Sequence, residues 1–233
     1  MQSDFFETVD ERRSVRSFLP DLVRPEVLNR CLDAARKAPS SSNLQPWEFV
    51  IITDPVGRAE ANKVCLNQQA ASTAPVLVAV VTHLDTWKRN SAEILRVFDE
   101  RGILRDGQRR YWGLIIPILY RSGPFGLFGW AKRLSSRVLS LIRPTANMLS
   151  RSDLRIVAHK STALAAATFM LALRAEGIDS CPMEGFDPWR ARRLLKLCSR
   201  AEVCMFIAIG KRAEGGVGWD RVLMPRKWMI RDI

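Results

Sequence analysis

Near the N-terminus, Arg12-Arg13-Ser14-Val15-Arg16 gathers three guanidinium groups and a hydroxyl into one short polar stretch. Guanidinium groups hold phosphate through paired, charge-assisted hydrogen bonds, so this spacing suits a phosphate fork. Taken alone, it also reads as a solvated, charged helix end. A second stretch, Pro39-Ser40-Ser41-Ser42-Asn43-Leu44-Gln45-Pro46-Trp47, packs amides and hydroxyls between two prolines. A rigid turn of that kind can offer donors and acceptors to the polar edge of a heteroaromatic ring. Its plainer reading is a helix-to-strand connection. The third stretch is Cys181-Pro182-Met183-Glu184-Gly185-Phe186-Asp187. There Gly185 would let an extended loop bring backbone amides close to a planar ligand, unless the stretch simply leads into the next helix.

Around these stretches the sequence lays out helices and a few strands. Pro25 suits a first helical turn, and Val27, Leu28, Cys31, Leu32 and Ala35 fall on one face of a helix that Pro39 closes. Trp47 to Thr53 reads as a strand and residues 56–71 as a helix. The continuous apolar run Val76 to Val81 suits a strand covered on both faces. Residues 86–102, 108–121 and 127–142 read as helices, with Gly123-Pro124-Phe125-Gly126 breaking the pattern. A long Ala- and Leu-rich helix runs from Ser152 to Glu176, closed by Gly177. Asp187-Pro188 opens another helix, Val203 to Ile209 is a buried strand, and 211–233 is an irregular tail. This alternation gives an α+β or α/β sandwich on a single domain, 1–233.

Composition narrows the chemistry. Apolar residues make up 47% of the 233, ample for a folded core. The acidic N-terminus lacks a secretory pattern, and the longest uninterrupted apolar run, Tyr111 to Tyr120, is about half of what a bilayer span needs. The odd, scattered set Cys31, Cys65, Cys181, Cys198 and Cys204 argues for reduced thiols in a cytoplasmic setting. His83 and His159 lie in no metal-ligand spacing, so no metal is expected. Of the net charge of +12, residues 101–160 carry +10, with twelve Lys/Arg against only Asp106 and Asp153.

Together, in this order and spacing, the three polar stretches resemble the nitroreductase family of FMN-dependent oxidoreductases. The likeness runs from about Glu11 to Thr82 and from Asp153 onward, while 85–150 matches poorly and reads as a basic helical excursion. The resemblance implies a small mixed sheet wrapped by helices, with two chains intertwined as a homodimer. Each of two FMN sites is then built from both chains. It implies hydride transfer from NAD(P)H to a nitroaromatic, quinone or related small-molecule acceptor. Dehalogenation or flavin cleavage on the same fold, and a basic membrane-surface protein without turnover, stay open beside it. Arg12, Ser14 and Arg16, with Arg13 beside them, fall where the family holds the FMN phosphate, ribityl chain and pyrimidine edge. Asn43 and Gln45 match residues that reach the flavin from the partner chain. Pro182, Met183, Glu184 and Gly185 match a loop over one flavin face. No side chain is needed as acid or base, because the cofactor carries the chemistry. A redox role for Cys181 competes with its use as small apolar filler.

Two departures from the family pattern stand out. A helical position often Lys or Asn near the flavin falls around Asn67 to Gln69, with no lysine. Near the C-terminus, Arg221 fits the first of two basic positions, Leu223 occupies the second, and Arg226 follows Pro225. Either Arg226 replaces the missing contact or phosphate binding leans on Arg12 and Arg16. The excursion mixes basic residues with Tyr111, Trp112, Phe125, Phe128 and Trp130. It suits a lid over the open flavin face, with Trp112, Phe125 and Trp130 as flat apolar surface, or a peripheral membrane contact through 101–150. No nucleic-acid partner is expected, since nothing there matches a nucleic-acid module.

Overall fold

The computed structural model of the chain describes residues 4–121, 127–145 and 150–232. Helix α1 (Phe5–Glu11) precedes α2 (Pro25–Ala35), which has Pro25 in its first turn. The turn Ser41–Asn43 leads into strand β1 (Trp47–Ile52), followed by α3 (Pro55–Val64), α4 (Gln69–Thr73) and β2 (Val76–His83). The excursion then forms α5 (Trp87–Glu100), α6 (Asp106–Arg110), a π-helical turn (Tyr111–Ile115), α7 (Ile116–Tyr120) and α8 (Leu127–Ser140). The long α9 (Arg151–Ala175), β3 (Asp179–Met183), α10 (Pro188–Leu194), β4 (Ala201–Gly210) and the single turn α11 (Arg226–Met229) complete the order.

The fold is α+β, as expected. Its four strands lie in the order β1-β2-β4-β3 and pair antiparallel throughout. The parallel component of the expected mixed sheet is a single bridge, Ser14 to Ser180, on the outer edge of β3. Period-two alternation divides β2 and β4 between two cores. Val76, Val78 and Val80 with Ile207 and Ile209 pack on Leu28 and Cys31 of α2 and on Ala166, Phe169 and Leu173 of α9. Leu77, Ala79, Phe206 and Ala208 face the other way, onto Ala61, Val64, Ala71 and Ala191 of α3, α4 and α10. An apolar run without alternation was therefore the right sign of a strand covered on both faces. Helix α9 is apolar and long enough by composition to span a membrane. Its Ala165, Ala166, Phe169 and Leu173 are instead fully buried in the core.

Four expectations change. Residues 56–71 are two helices, because Leu66 and Asn67 adopt left-handed backbone (φ 59° and 54°) and end α3. Asn67 therefore sits in a turn, not on a helix, and its N–H closes that turn onto the Asn62 carbonyl at 2.9 Å. Residues 108–121 contain a π-turn because of Pro117, which lacks an N–H and whose ring would strike the Gly113 carbonyl in a regular α-helix. Cys181, Pro182 and Met183 form part of β3, not a loop. A proline is tolerated in this strand because it lies at the sheet edge. Helix α2 ends at Ala35, ahead of Pro39. The expected break at 123–126 and Phe125 lie outside the described residues. Gly177 (φ 76°) and Asp187 cap their helices as anticipated.

Phe169 is fully buried, with its ring centroid 5.4 Å from that of Phe49 on β1. Phe169→Ala should lower the free energy of unfolding by about 3–5 kcal/mol, the transfer and cavity cost of a large core aromatic. Urea denaturation followed by circular dichroism measures it, and a loss under 1 kcal/mol would show that this layer is loosely packed.

Candidate functional site

The arginine stretch owes its position to the free edge of β3. After α1 the backbone runs alongside that strand, and the Val15 N–H donates to the Ser180 carbonyl at 3.1 Å. Val15 and Phe18 anchor the segment in the core. The C-terminal segment covers its other side. The Arg16 N–H donates to the Gly216 carbonyl at 2.8 Å and the Ala213 N–H to the Ser17 carbonyl at 3.0 Å. Only glycine fits at 216, because a Cβ there would lie 2.7 Å from the Ser17 oxygen.

This lacing opens a cleft of about 260 Å³ lined by Arg12, Arg13, Ser14, Arg16, Trp219 and Arg221, among others. The Arg13 guanidinium donates to the Trp219 carbonyl. The Arg16 guanidinium lies 4.7 Å from the centre of the Trp219 ring, a cation–π arrangement. Arg221 donates to the carbonyls of Val9, Asp10 and Arg12 at 3.2, 2.8 and 2.6 Å, capping the end of α1. Burial, then the charges of Arg221 and Arg13, lower the Arg12 pKa from its ordinary value. Four guanidinium groups face only the Asp220 carboxylate among the lining residues. Cations crowded in this way favour an anionic ligand.

The third polar stretch arrives at the same place. Cys181 lies close enough to Arg16 and Arg12 to feel both, although burial dominates and pushes its thiol up. At 4% exposure it is core filler, which leaves a redox role without support. Met183 is buried and Pro182 half-buried, while Glu184 and Gly185 are exposed. The Gly185 carbonyl accepts from the Gln68 side-chain amide at 2.5 Å, and the same amide donates to the Cys65 carbonyl at 2.9 Å. The turn carrying Asn67 thus buttresses the end of β3. Nothing inside the protein demands glycine at 185. Its φ lies outside the left-handed region, and a Cβ would meet Gln68 at an ordinary 3.5 Å.

Asn43 and Gln45 lie elsewhere within the chain. They line a separate, open cavity of about 600 Å³ with Leu32, Trp47, Phe49 and Arg89. Arg226 begins α11 and lines neither cavity, and Leu223 is exposed, so Arg221 alone of the C-terminal residues singled out joins the cleft. Sequence reasoning missed Trp219 and Gly216, and held Gln68 only within the span Asn67 to Gln69 without singling it out. The glycine-dense run Gly215-Gly216-Val217-Gly218 just before Trp219 was the available signal, since such runs mark close backbone approach. Trp112 does not present a free flat face. Its indole N–H donates to the Ser42 carbonyl at 3.0 Å and its ring meets Phe98 edge-on at 5.4 Å.

Comparison with known proteins identifies the family. The nitroreductase family pattern matches residues 9–211, a range that includes the excursion. The chain is 31% identical over 223 residues to protein DrgA of Synechocystis, covering 95% of this chain and 90% of that one. It is 28% identical over 216 residues to a protein named NADH dehydrogenase from Thermus thermophilus, covering 93% and 90%. A nitroreductase-type protein from Exiguobacterium sibiricum, solved in complex with FMN, superposes with a TM-score of 0.75 at 23% identity, over 99% of this chain and 98% of that one. With the family match spanning most of its length, the chain belongs to the nitroreductase family and is an oxidoreductase of that FMN-dependent family.

Proposed function

We propose that the chain binds FMN at the arginine cleft and passes electrons from NAD(P)H to a small acceptor such as a nitroaromatic or a quinone. The observation that carries this reading is the cleft on the β3 edge. There Arg12, Arg13, Arg16 and Arg221 crowd together, and burial, then the like charges of Arg221 and Arg13, depress Arg12. A phosphate relieves that repulsion, so the residues present fit the group. Arg12, Arg13 and Arg221 are assigned to the phosphate, Ser14 to the ribityl chain and Arg16 to the pyrimidine edge. When bound, FMN supplies the hydride chemistry, taking reducing equivalents from the nicotinamide and delivering them to the acceptor. The chain's own contribution is positional and electrostatic. Arg16, steadied by Trp219, puts a fixed positive charge where the reduced ring system carries negative charge. Backbone at Glu184 and Gly185, held by Gln68, offers an N–H toward the ring without a side chain in the way. No group of this chain is assigned as acid or base.

Asn43 and Gln45 are assigned to the flavin of a second copy, because within one chain they line a different cavity from the arginines. Their use requires a homodimer. The tail supports one: Trp219, Val222, Leu223, Trp228 and Met229 are each more than 60% exposed, an apolar surface that a lone chain leaves in water. Free thiols at all five cysteines support a reducing, cytoplasmic location. A lipid-facing role for 101–150 gains no support, since the family match spans the whole of that segment.

Three measurements test the proposal. Cofactor released by heat should run as FMN at one per chain, and Arg12→Ala should weaken its binding by about 1.5–3 kcal/mol, the worth of a hydrogen bond to a charged group. FAD, or no flavin at all, sinks the assignment. Gly185→Ala should leave the unfolding free energy of flavin-stripped protein within about 0.5 kcal/mol of the parent, yet weaken FMN binding. A matching loss of both would make Gly185 a folding residue. Light scattering should return twice the chain mass; a monomer fully loaded with FMN would overturn the two-chain site.

A further inference from the structure

Three side chains of the excursion reach back to one short loop. The Tyr111 hydroxyl lies 2.8 Å from the Ser42 hydroxyl, and the Trp112 indole N–H donates to the Ser42 carbonyl at 3.0 Å. The Asn90 side-chain amide donates to the Leu44 carbonyl at 2.7 Å. The loop they hold is in a costly conformation. Ser42, Asn43 and Gln45 have φ of 54°, 54° and 44°, in the left-handed region that disfavours residues other than glycine. Such residues persist only where the surroundings over-determine them, and they gather at functional sites. Within the loop, the Gln45 N–H donates to the Ser40 hydroxyl at 3.0 Å and the Gln45 side chain reaches the Asn43 carboxamide oxygen at 3.2 Å. Locally the Asn43 N–H also donates to the Ser40 carbonyl at 3.0 Å and the Leu44 N–H to the Ser41 carbonyl at 3.1 Å, and on α9 the Ser161 hydroxyl accepts from the Ser41 N–H at 3.2 Å. Tyr111 and Trp112 add the contacts to the Ser42 hydroxyl and carbonyl themselves.

The π-turn makes that double contact available. Consecutive side chains on an α-helix diverge by about 100°, whereas a wider turn brings neighbours closer in direction. Tyr111 and Trp112, with rings edge-to-face at 5.1 Å, both meet Ser42. Phe98 of α5 supports the indole from behind. The turn exists because Pro117 forbids a regular helix through Gly113. One proline thus aims two aromatic residues at the loop.

Building on the assignment of Asn43 and Gln45 to flavin binding, we infer that Tyr111 and Trp112 are positioning residues. They brace the Ser42 hydroxyl and carbonyl and so steady the Asn43 and Gln45 side chains toward the cofactor of the second copy. The excursion then governs cofactor residence by way of the loop, a role separate from that of a lid over the acceptor.

Tyr111→Phe deletes the hydroxyl and keeps the ring, while Trp112→Phe deletes the indole N–H and keeps a smaller aromatic ring in its place. In the purified full-length holoenzyme, each should speed hydrogen exchange at the amides of Asn43 to Gln45. Each should also speed FMN release on dilution, read from recovered flavin fluorescence, by roughly threefold to tenfold, the worth of one neutral hydrogen bond. Exchange at the amides of β2 should not change. Unaltered loop exchange with FMN release within twofold of the parent would overturn the inference, as would a lowered thermal midpoint with neither change. Arg12→Ala run alongside separates the two readings. If it too leaves FMN release unchanged, the cleft assignment fails and loop exchange alone decides the positioning role.

Discussion

A sheet buried on both faces has only its edges left to bargain with. Strands β2 and β4 are covered by α2 and α9 on one side and by α3, α4 and α10 on the other. Unpaired backbone groups remain along β1 and β3, and an edge strand must find partners or invite foreign ones. At β3 the partner is the stretch after α1, joined through Val15 and Ser180. The 211–217 segment then pairs with that stretch in turn. Satisfying an edge therefore delivers three guanidinium groups from the N-terminus and one from the C-terminus to the same cleft. The cationic site is a consequence of closing the sheet.

Charge pairing decides which arginines are left over. Asp179 is 4% exposed at the start of β3, and its carboxylate accepts from Arg174 at 3.1 Å and from Arg212 at 3.0 and 2.7 Å. Arg174 also meets Glu11 at the end of α1. A buried carboxylate is tolerated only when paired, so these two cations are committed to joining α9, β3 and the C-terminal segment. The Asp179 hydrogen bond, offset in part by burial, raises the Arg212 pKa. Arg12 moves the opposite way. Two arginine groups within one region thus differ in kind, one neutralised and structural, the other crowded by its own sign.

Much of this was legible in the chain. Unbroken apolar runs marked the two central strands, and proline and glycine marked helix ends where local chemistry alone decides the conformation. The polar stretches at 12–16 and 181–187 read singly as a charged helix end and a loop, and only in combination with 39–47 did their order and spacing point to the family. Strand β3 was not legible. Asp-Ser-Cys-Pro-Met has no alternation and includes a proline, and it is a strand only because β4 lies beside it. The break at Leu66-Asn67 was hidden for a related reason, since leucine in left-handed backbone has no sequence signature. Trp219 and Gln68 act through contacts with residues far away in the chain, which composition does not encode.

The lacing between the Arg12–Phe18 stretch and the 211–217 segment also sets an order of events. Contacts between segments about 200 residues apart close a long loop and carry its entropy. During synthesis the arginines of 12–16 precede Gly216, Trp219 and Arg221, so they are made long before their cleft can close. The sheet centre is no earlier, because β4 closes it at residue 210. A nascent chain therefore presents Arg12, Arg13 and Arg16 without their cleft until residues 216–221 have been made. A chain lacking those residues carries the charge without the pocket, so the ligand selects chains in which both segments have met.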